Sequence, residues 1–196
     1  MRIGYVVQGD ADEAVVRGLV DRWCQTAESV RGMFRGQSGE SLRRELPKAL
    51  HALRDQMQCD LLVVLTDADN DRWQDVKRRE WTRVPADCQD ICLFGVADRN
   101  IECWLAADRN ALSEELGCSE TDIPREDPSG FVKRRFGLGQ RDDSRENAKQ
   151  RIARFVAAAP LKNWISNAPS FNDFYQSARA LAGQRRCEIP NELQVD

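Results

Sequence analysis

The run DLLVVLTD, residues 60–67, constrains this chain more than any other stretch. A short, unbroken apolar run ending in an acid suits a central parallel strand buried on both faces. Its companions are RIGYVV (2–7), a weaker VRGMF (30–34) with a glycine inside it, and DICLFGVA (90–97). Helical patterns separate them. Residues 11–24 set Val15, Leu19 and Trp23 close to one face. Residues 40–57 do the same with Leu42, Leu46, Leu50, Leu53 and Met57, with Pro47 as a kink or break. A more polar helix is expected over 70–81. The succession predicts an α/β fold: an open, mainly parallel sheet flanked by helices and joined by right-handed crossovers.

The second half changes character. Residues 100–117 read as one or two helices and 118–130 as an acidic loop bearing Pro and Gly. A stripe of Ala148, Ile152, Phe155, Val156 and Ala159 predicts a helix over 144–159. Phe171, Phe174, Tyr175, Ala178 and Leu181 predict another over 170–181. The expected organisation is an α/β core over 1–108 and a helical C-terminal part, 109–196, packed on it or continuous with it.

Hydrophobic residues at 41% and charged residues at 31% fit a soluble globular protein. No run approaches the roughly 18–20 apolar residues of a membrane span. After Met1-Arg2 the apolar run is short and turns acidic, unlike a secretory leader. Seven irregularly spaced cysteines lead us to expect free thiols in a reducing compartment, hence a cytoplasmic protein. A net charge of -3 excludes a polybasic molecule. Even so, Arg125–Arg154 carries nine Lys or Arg against five Asp or Glu. Such a surface could meet a phosphate backbone or be a solvated helical face.

The chemistry concentrates at the strand ends. In LLVVLTDADND, Asp67 and Asp69 leave the buried strand two residues apart, and in extended backbone such residues point the same way. Three acids in five residues, with Asp71, repel unless a cation or donors neutralise them. An all-oxygen set suits Mg²⁺ or Mn²⁺. Alternatively, Asp69 or Asn70 caps the helix starting near Arg72. In VVQGDADE, Asp10 or Asp12 would reach the same edge if strands one and three are neighbours. Asp10 fits an N-cap, with Glu13 completing a capping box, whereas Asp12 is open to a cap or a metal role. Glu102, between Ile101 and Trp104, would be costly facing inward unless paired or liganding. Lys149, near the apolar stripe of its helix, could contact a phosphate.

Other features carry less. Cys88, Cys92 and Cys103 lack the spacing of a structural zinc motif. His51 lies in a helical stretch with no cysteine near it in sequence. Gly137-Leu138-Gly139 does not complete a phosphate loop, and the five scattered tryptophans read as packing.

VVQGDADE, LLVVLTDADND, GVADRNIECWLAADRNAL, AKQRI and SFNDFYQSARAL resemble the small Toprim-like proteins of the domain-of-unknown-function 4276 family. Their wider kin are the Toprim nuclease domains of overcoming-lysogenization-defect (OLD) nucleases. The resemblance implies a Toprim-like fold and a Mg²⁺- or Mn²⁺-dependent nuclease or other phosphodiester-processing activity. It implies nucleic acid as partner, and an ABC- or SMC-type ATPase supplied by another chain in phage defence. Asp67 and Asp69 would match the family's metal-binding pair, with Asp12 and Glu102 as further acids and Lys149 as a late lysine at the cleavage site. Gln8 stands where the family has a metal-binding Glu; its amide carries no charge and cannot act as a base. That departure leaves open a catalytically silent binding module. A haloacid-dehalogenase-like phosphatase with Asp67 as nucleophile is a third alternative, although its motif falls two strands late.

Overall fold

The computed structural model describes residues 1–32, 39–138, 142–182 and 187–192. Four parallel strands form one sheet: β1 (Arg2–Val7), β2 (Glu28–Arg31), β3 (Leu61–Asp67) and β4 (Cys92–Ala97), in the order β2-β1-β3-β4. The apolar run at 61–65 is a central strand, paired to β1 from Ile3↔Leu61 to Val7↔Leu65 and to β4 from Leu62↔Cys92 to Asp67↔Ala97. The weak second strand starts earlier than expected and its pairing with β1 spans Glu28 to Arg31; positions 33 and 34 lie outside the described residues.

Alternation along the strands builds two cores. Ile3, Tyr5, Val7, Leu61, Val63 and Leu65 face one layer, and Val6, Leu62, Val64 and Phe94 face the other. Helix α1 (Asp10–Trp23) lies in the first layer; α2 (Gly39–His51) and α3 (Trp73–Trp81) lie in the second. This division follows from handedness. The chain leaves β1 toward β2, then returns past β1 to β3 and β4, so crossovers of one hand must put α1 on the opposite face. The reversal opens a crevice between the C-terminal ends of β1 and β3, where open α/β sheets bind their ligands.

Pro47 neither breaks nor ends α2. The irregularity comes later, in a π-helical turn at Ala52–Gln56 closed by Met57 N–H donating to Ala52 C=O at 3.1 Å. The wider turn carries Met57 off the buried stripe of Leu42, Leu46, Leu50 and Leu53 and leaves it exposed, contrary to the expected periodicity.

Residues 100–117 form two helices, α4 (Ile101–Leu105) and α5 (Arg109–Leu116). The expected loop contains a 3₁₀ turn at Glu120–Asp122 and gives way to an unexpected helix, α6 (Ser129–Phe136). Helices α7 (Asp142–Ala158), α8 (Leu161–Asn167) and α9 (Pro169–Ala182) follow, α8 also being unforeseen. Helix α7 packs on α1 and α9 on β4, and their stripes join the α1-side core. Two glycines permit this closeness. A Cβ on Gly18 would stand 2.5 Å from Ala153 O, and one on Gly95 would stand 2.5 Å from Phe174 Cδ2. Trp104 and Trp164 are fully buried and pack edge-on to Phe171, as the packing reading of the tryptophans requires.

The free-thiol expectation is corrected at one pair: Cys24 and Cys187 form a disulfide, while Cys59, Cys88, Cys92, Cys103 and Cys118 are free. The cause is tertiary. The segment at 187–192 returns across the end of α1, with Glu188 N–H donating to Trp23 C=O at 2.9 Å and Arg22 paired to Glu192 at 2.7 Å. No helix among the described residues is long and apolar enough to cross a membrane.

Candidate functional site

The crevice at the β1–β3 switch is a cleft of about 300 Å³ lined by Gln8, Gly9, Asp10, Ala11, Asp12, Asp67, Asp69, Glu102, Lys133 and Leu138. Four elements deliver its side chains. Strand β1 ends at Val7 and the chain turns at Gln8-Gly9 into α1, whose N-cap is Gly9. The cap assignment to Asp10 is therefore corrected. Asp12 is the acid that closes the first turn, its Oδ2 accepting from Gly9 N–H at 3.0 Å, and Asp10 instead pairs with Arg145. Glu13 does not complete a capping box either: its carboxylate meets Arg31 at 2.5 Å and Tyr5 Oη–H at 3.3 Å.

Asp67 is the last residue of β3, and its backbone N–H donates to Gln8 Oε1 at 3.3 Å. The neutral amide therefore stitches together the ends of two neighbouring strands. Beyond Asp67 the backbone is no longer extended. Asp69 has φ 52°, and its N–H donates to Arg99 C=O at 2.8 Å, with Arg99 also left-handed at φ 62°. The same-side argument for Asp67 and Asp69 thus fails in detail; Asp69 reaches the cleft from an exposed turn. Neither Asp69 nor Asn70 caps α3, whose N-cap is Arg72. Asp71 turns away and pairs with Arg79 at 3.3 Å.

Glu102 enters from α4, immediately after β4. Ile101, Trp104 and Leu105 of the same short helix fill the core. Trp104 Nε1–H donates to Ser170 Oγ at 2.8 Å, and Ser170 Oγ also accepts Asp98 N–H at 3.1 Å. That anchor seats α4 so that Glu102, 1% exposed, lines the cleft.

The electrostatics of the cleft are unusual for a folded interior. Asp12 Oδ1, Asp67 Oδ1 and both carboxylate oxygens of Glu102 are buried without a hydrogen-bond partner. Lys133 Nζ lies 3.4 Å from Glu102 Oε1, an ion-pair contact without hydrogen-bond geometry. Burial, and then the charges of Asp12, Glu102 and Asp69, push Asp67 up to about 9. Burial and then Glu102 push Asp12 up to about 7. Burial raises Glu102 as well, against the pull of Lys133. Buried carboxylates without donors are expensive, and a divalent cation is the natural remedy. The three carboxylates share the lining of one cleft.

Asp12, Asp67, Asp69, Glu102 and Gln8 thus line one cleft, and Lys149 does not. Lys149 pairs with Glu13 at 3.5 Å and Glu146 at 2.6 Å where α7 meets α1. The lysine that does reach the acids, Lys133, escaped sequence reasoning because α6 did. Its signal was only the basic run Lys133-Arg134-Arg135. That basic region is not one free surface, since Arg145, Lys149 and Arg151 all pair with acids of other elements.

A second cluster had no sequence signal. His51, Asp87 and Cys88 bring ligand atoms within 4.8 Å of one another and could hold a metal ion. His51 therefore does have an acid and a cysteine beside it in space. His51 Nε2 stands 3.2 Å from Asp87 Oδ1. The Arg54 guanidinium also touches this cluster, 2.5 Å from Asp87 Oδ2 and 3.6 Å from Cys88 Sγ.

Comparison of the chain with models of known protein families, with curated proteins and with solved structures finds no match.

Proposed function

We propose that this protein is a divalent-metal-dependent, phosphodiester-processing enzyme, a Toprim-like nuclease using Mg²⁺ or Mn²⁺ at the β1–β3 cleft. One observation carries the reading: the buried carboxylate oxygens of Asp12, Asp67 and Glu102 gathered in a single cleft with one lysine, Lys133, beside them. Asp12, Asp67 and Glu102 would hold the ion, with Asp69 at the mouth. When bound, the metal supplies a Lewis acid that lowers the pKa of water and stabilises charge on phosphoryl oxygens. Lys133, half-exposed beside Glu102, can meet a phosphate oxygen of the substrate. Gln8 holds the backbone of Asp67 in register with β1 and takes no part as a base.

The reading includes the wider Toprim-like assignment, with kinship to OLD-type nucleases and to the domain-of-unknown-function 4276 family. Nucleic acid is then the substrate class, and an ABC- or SMC-type ATPase on another chain is the partner, working in phage defence. The second reading, a catalytically silent Toprim-like binding module, draws on Gln8. Incubating the full chain with plasmid and linear DNA plus Mn²⁺, beside Asp67→Ala, tests both. Cleavage by the wild type alone supports the nuclease and ends the silent reading. Indistinguishable products from the two proteins would sink the nuclease.

A further inference from the structure

The cluster of His51, Asp87 and Cys88 stands at the other edge of the sheet from the acidic cleft. The cleft lies at the C-terminal ends of β1 and β3. His51 closes α2 ahead of β3, and Asp87 and Cys88 sit in the 3₁₀ turn Ala86–Ile91 that runs straight into β4. His51 and Asp87 are 36 positions apart in the chain, so packing alone unites them. One ligand atom from each of the three residues lies within 4.8 Å of the others. Zinc bonds of about 2.0–2.3 Å put tetrahedral ligand atoms about 3.3–3.8 Å apart, so the set closes with about 1–1.5 Å of side-chain adjustment.

The donors also differ from those of the cleft. An imidazole nitrogen, a carboxylate oxygen and a thiolate sulfur together suit Zn²⁺, whereas Mg²⁺ and Mn²⁺ favour oxygen throughout. Cys88 is fully buried, while the side chains of His51 and Asp87 are 44% and 56% exposed. The set therefore rests on the core at one end and opens to solvent at the other. Just past His51 the helix widens into the π-helical turn Ala52–Gln56, a distortion frequent at functional sites. Within that turn Arg54 donates to Asp87 C=O at 2.8 Å and pairs with Asp87 Oδ2 at 2.5 Å. Asp87 Oδ1 is left facing His51 Nε2 at 3.2 Å. Asp55 also meets the Arg54 guanidinium, at 2.6 Å, and offsets its repulsion of a metal ion.

We propose that His51, Asp87 and Cys88 form a Zn²⁺ site with three protein ligands and a fourth position open to water. The ion fastens the end of α2 to the turn that leads into β4. This site is separate from the acidic cleft and does not depend on the activity proposed there.

The test titrates the metal-stripped full chain, kept oxygen-free, with CoCl₂ and then with ZnCl₂. The wild type should develop a thiolate-to-cobalt charge-transfer band and the visible bands of tetrahedral Co²⁺, and Zn²⁺ should erase both. With Zn²⁺ a hundredfold above its Kd, Tm should rise by about 5–10 °C. Cys88→Ser should lose the charge-transfer band, and His51→Gln should bind Co²⁺ roughly tenfold or more weakly. Circular dichroism checks that both fold, and the exposed His51 position decides the matter if Cys88→Ser does not. Asp67→Ala, which alters the cleft, should keep the band and the affinity. A wild type without the band, a band that survives in folded Cys88→Ser, or a folded His51→Gln that binds as tightly as the wild type overturns the site. Loss of the band in Asp67→Ala overturns its separateness from the cleft, and binding of Zn²⁺ without a rise in Tm overturns the fastening role.

Discussion

Replacing Asp67 by Asn should make the metal-free protein more stable, an unusual result for a residue at the heart of a site. Asp67 Oδ1 is buried without a donor, and Asp12, Glu102 and Asp69 add negative charge around it. Its carboxyl is pushed from 3.8 in the unfolded chain up to about 9 in the folded one. A raised acid means the folded state holds its proton more tightly. Stability from this group is therefore greatest below about pH 4 and is lost as pH rises toward 9. At pH 7 the unfolded side chain is ionised and the folded one resists ionisation, which at about 1.4 kcal/mol per pH unit bounds the cost near 4 kcal/mol. Removal of unsatisfied buried polar groups points lower, to about 1–3 kcal/mol. Asparagine removes the charge at equal volume and offers an amide N–H to the neighbouring carboxylates. For a domain of this size each kcal/mol moves Tm by about 2–4 °C, so Asp67→Asn should melt roughly 3–10 °C higher in EDTA at pH 7. Scanning calorimetry at pH 5, 7 and 8.5 should find the gap smallest at pH 5 and widest at pH 8.5. Mn²⁺ should raise the wild-type Tm and leave the variant nearly unmoved. A variant less stable than the wild type in EDTA at pH 7 and above would refute the reasoning, since it would mean that Asp67 already has a partner that compensates it.

Two further outcomes test the scaffold. Gly18→Ala puts a Cβ 2.5 Å from Ala153 O and 2.7 Å from Val156 Cβ, forcing α1 and α7 apart; we expect a loss of about 1–3 kcal/mol in urea denaturation, and a neutral result would show that the helices are not in close contact there. Cys187→Ser removes a cross-link spanning 163 positions; chain entropy predicts a loss of up to about 5 kcal/mol under non-reducing conditions, with the gap closing when both proteins are melted in a strong reductant.

Much of the frame is legible in local pattern, because burial on a strand or helix repeats with the period of that element. LLVVL could only be satisfied with apolar layers on both sides, and the stripes of α1, α7 and α9 are all buried, apart from the partly buried Leu181. Asp12 and Asp67 were readable as neighbours only on the condition that the first and third strands adjoin, and that pairing is supplied by the tertiary structure. The pattern failed where geometry departed from a regular element. The π-helical turn rotated Met57 into solvent, and left-handed backbone at Asp69 took it off the line of β3.

The sequence by itself determined the main strands, most of the helices and the acids that follow the first and third strands, since each depends on residues near one another in the chain. Tertiary structure alone decided which charges meet. It brought Lys133 rather than Lys149 to Glu102, gathered His51, Asp87 and Cys88 with Arg54 paired to Asp87, joined Cys24 to Cys187, and gave Gln8 the backbone of Asp67. Such pairings carry no period. They follow from where the crossovers return the chain, and from the cost of leaving a charge or a backbone group buried and unpaired.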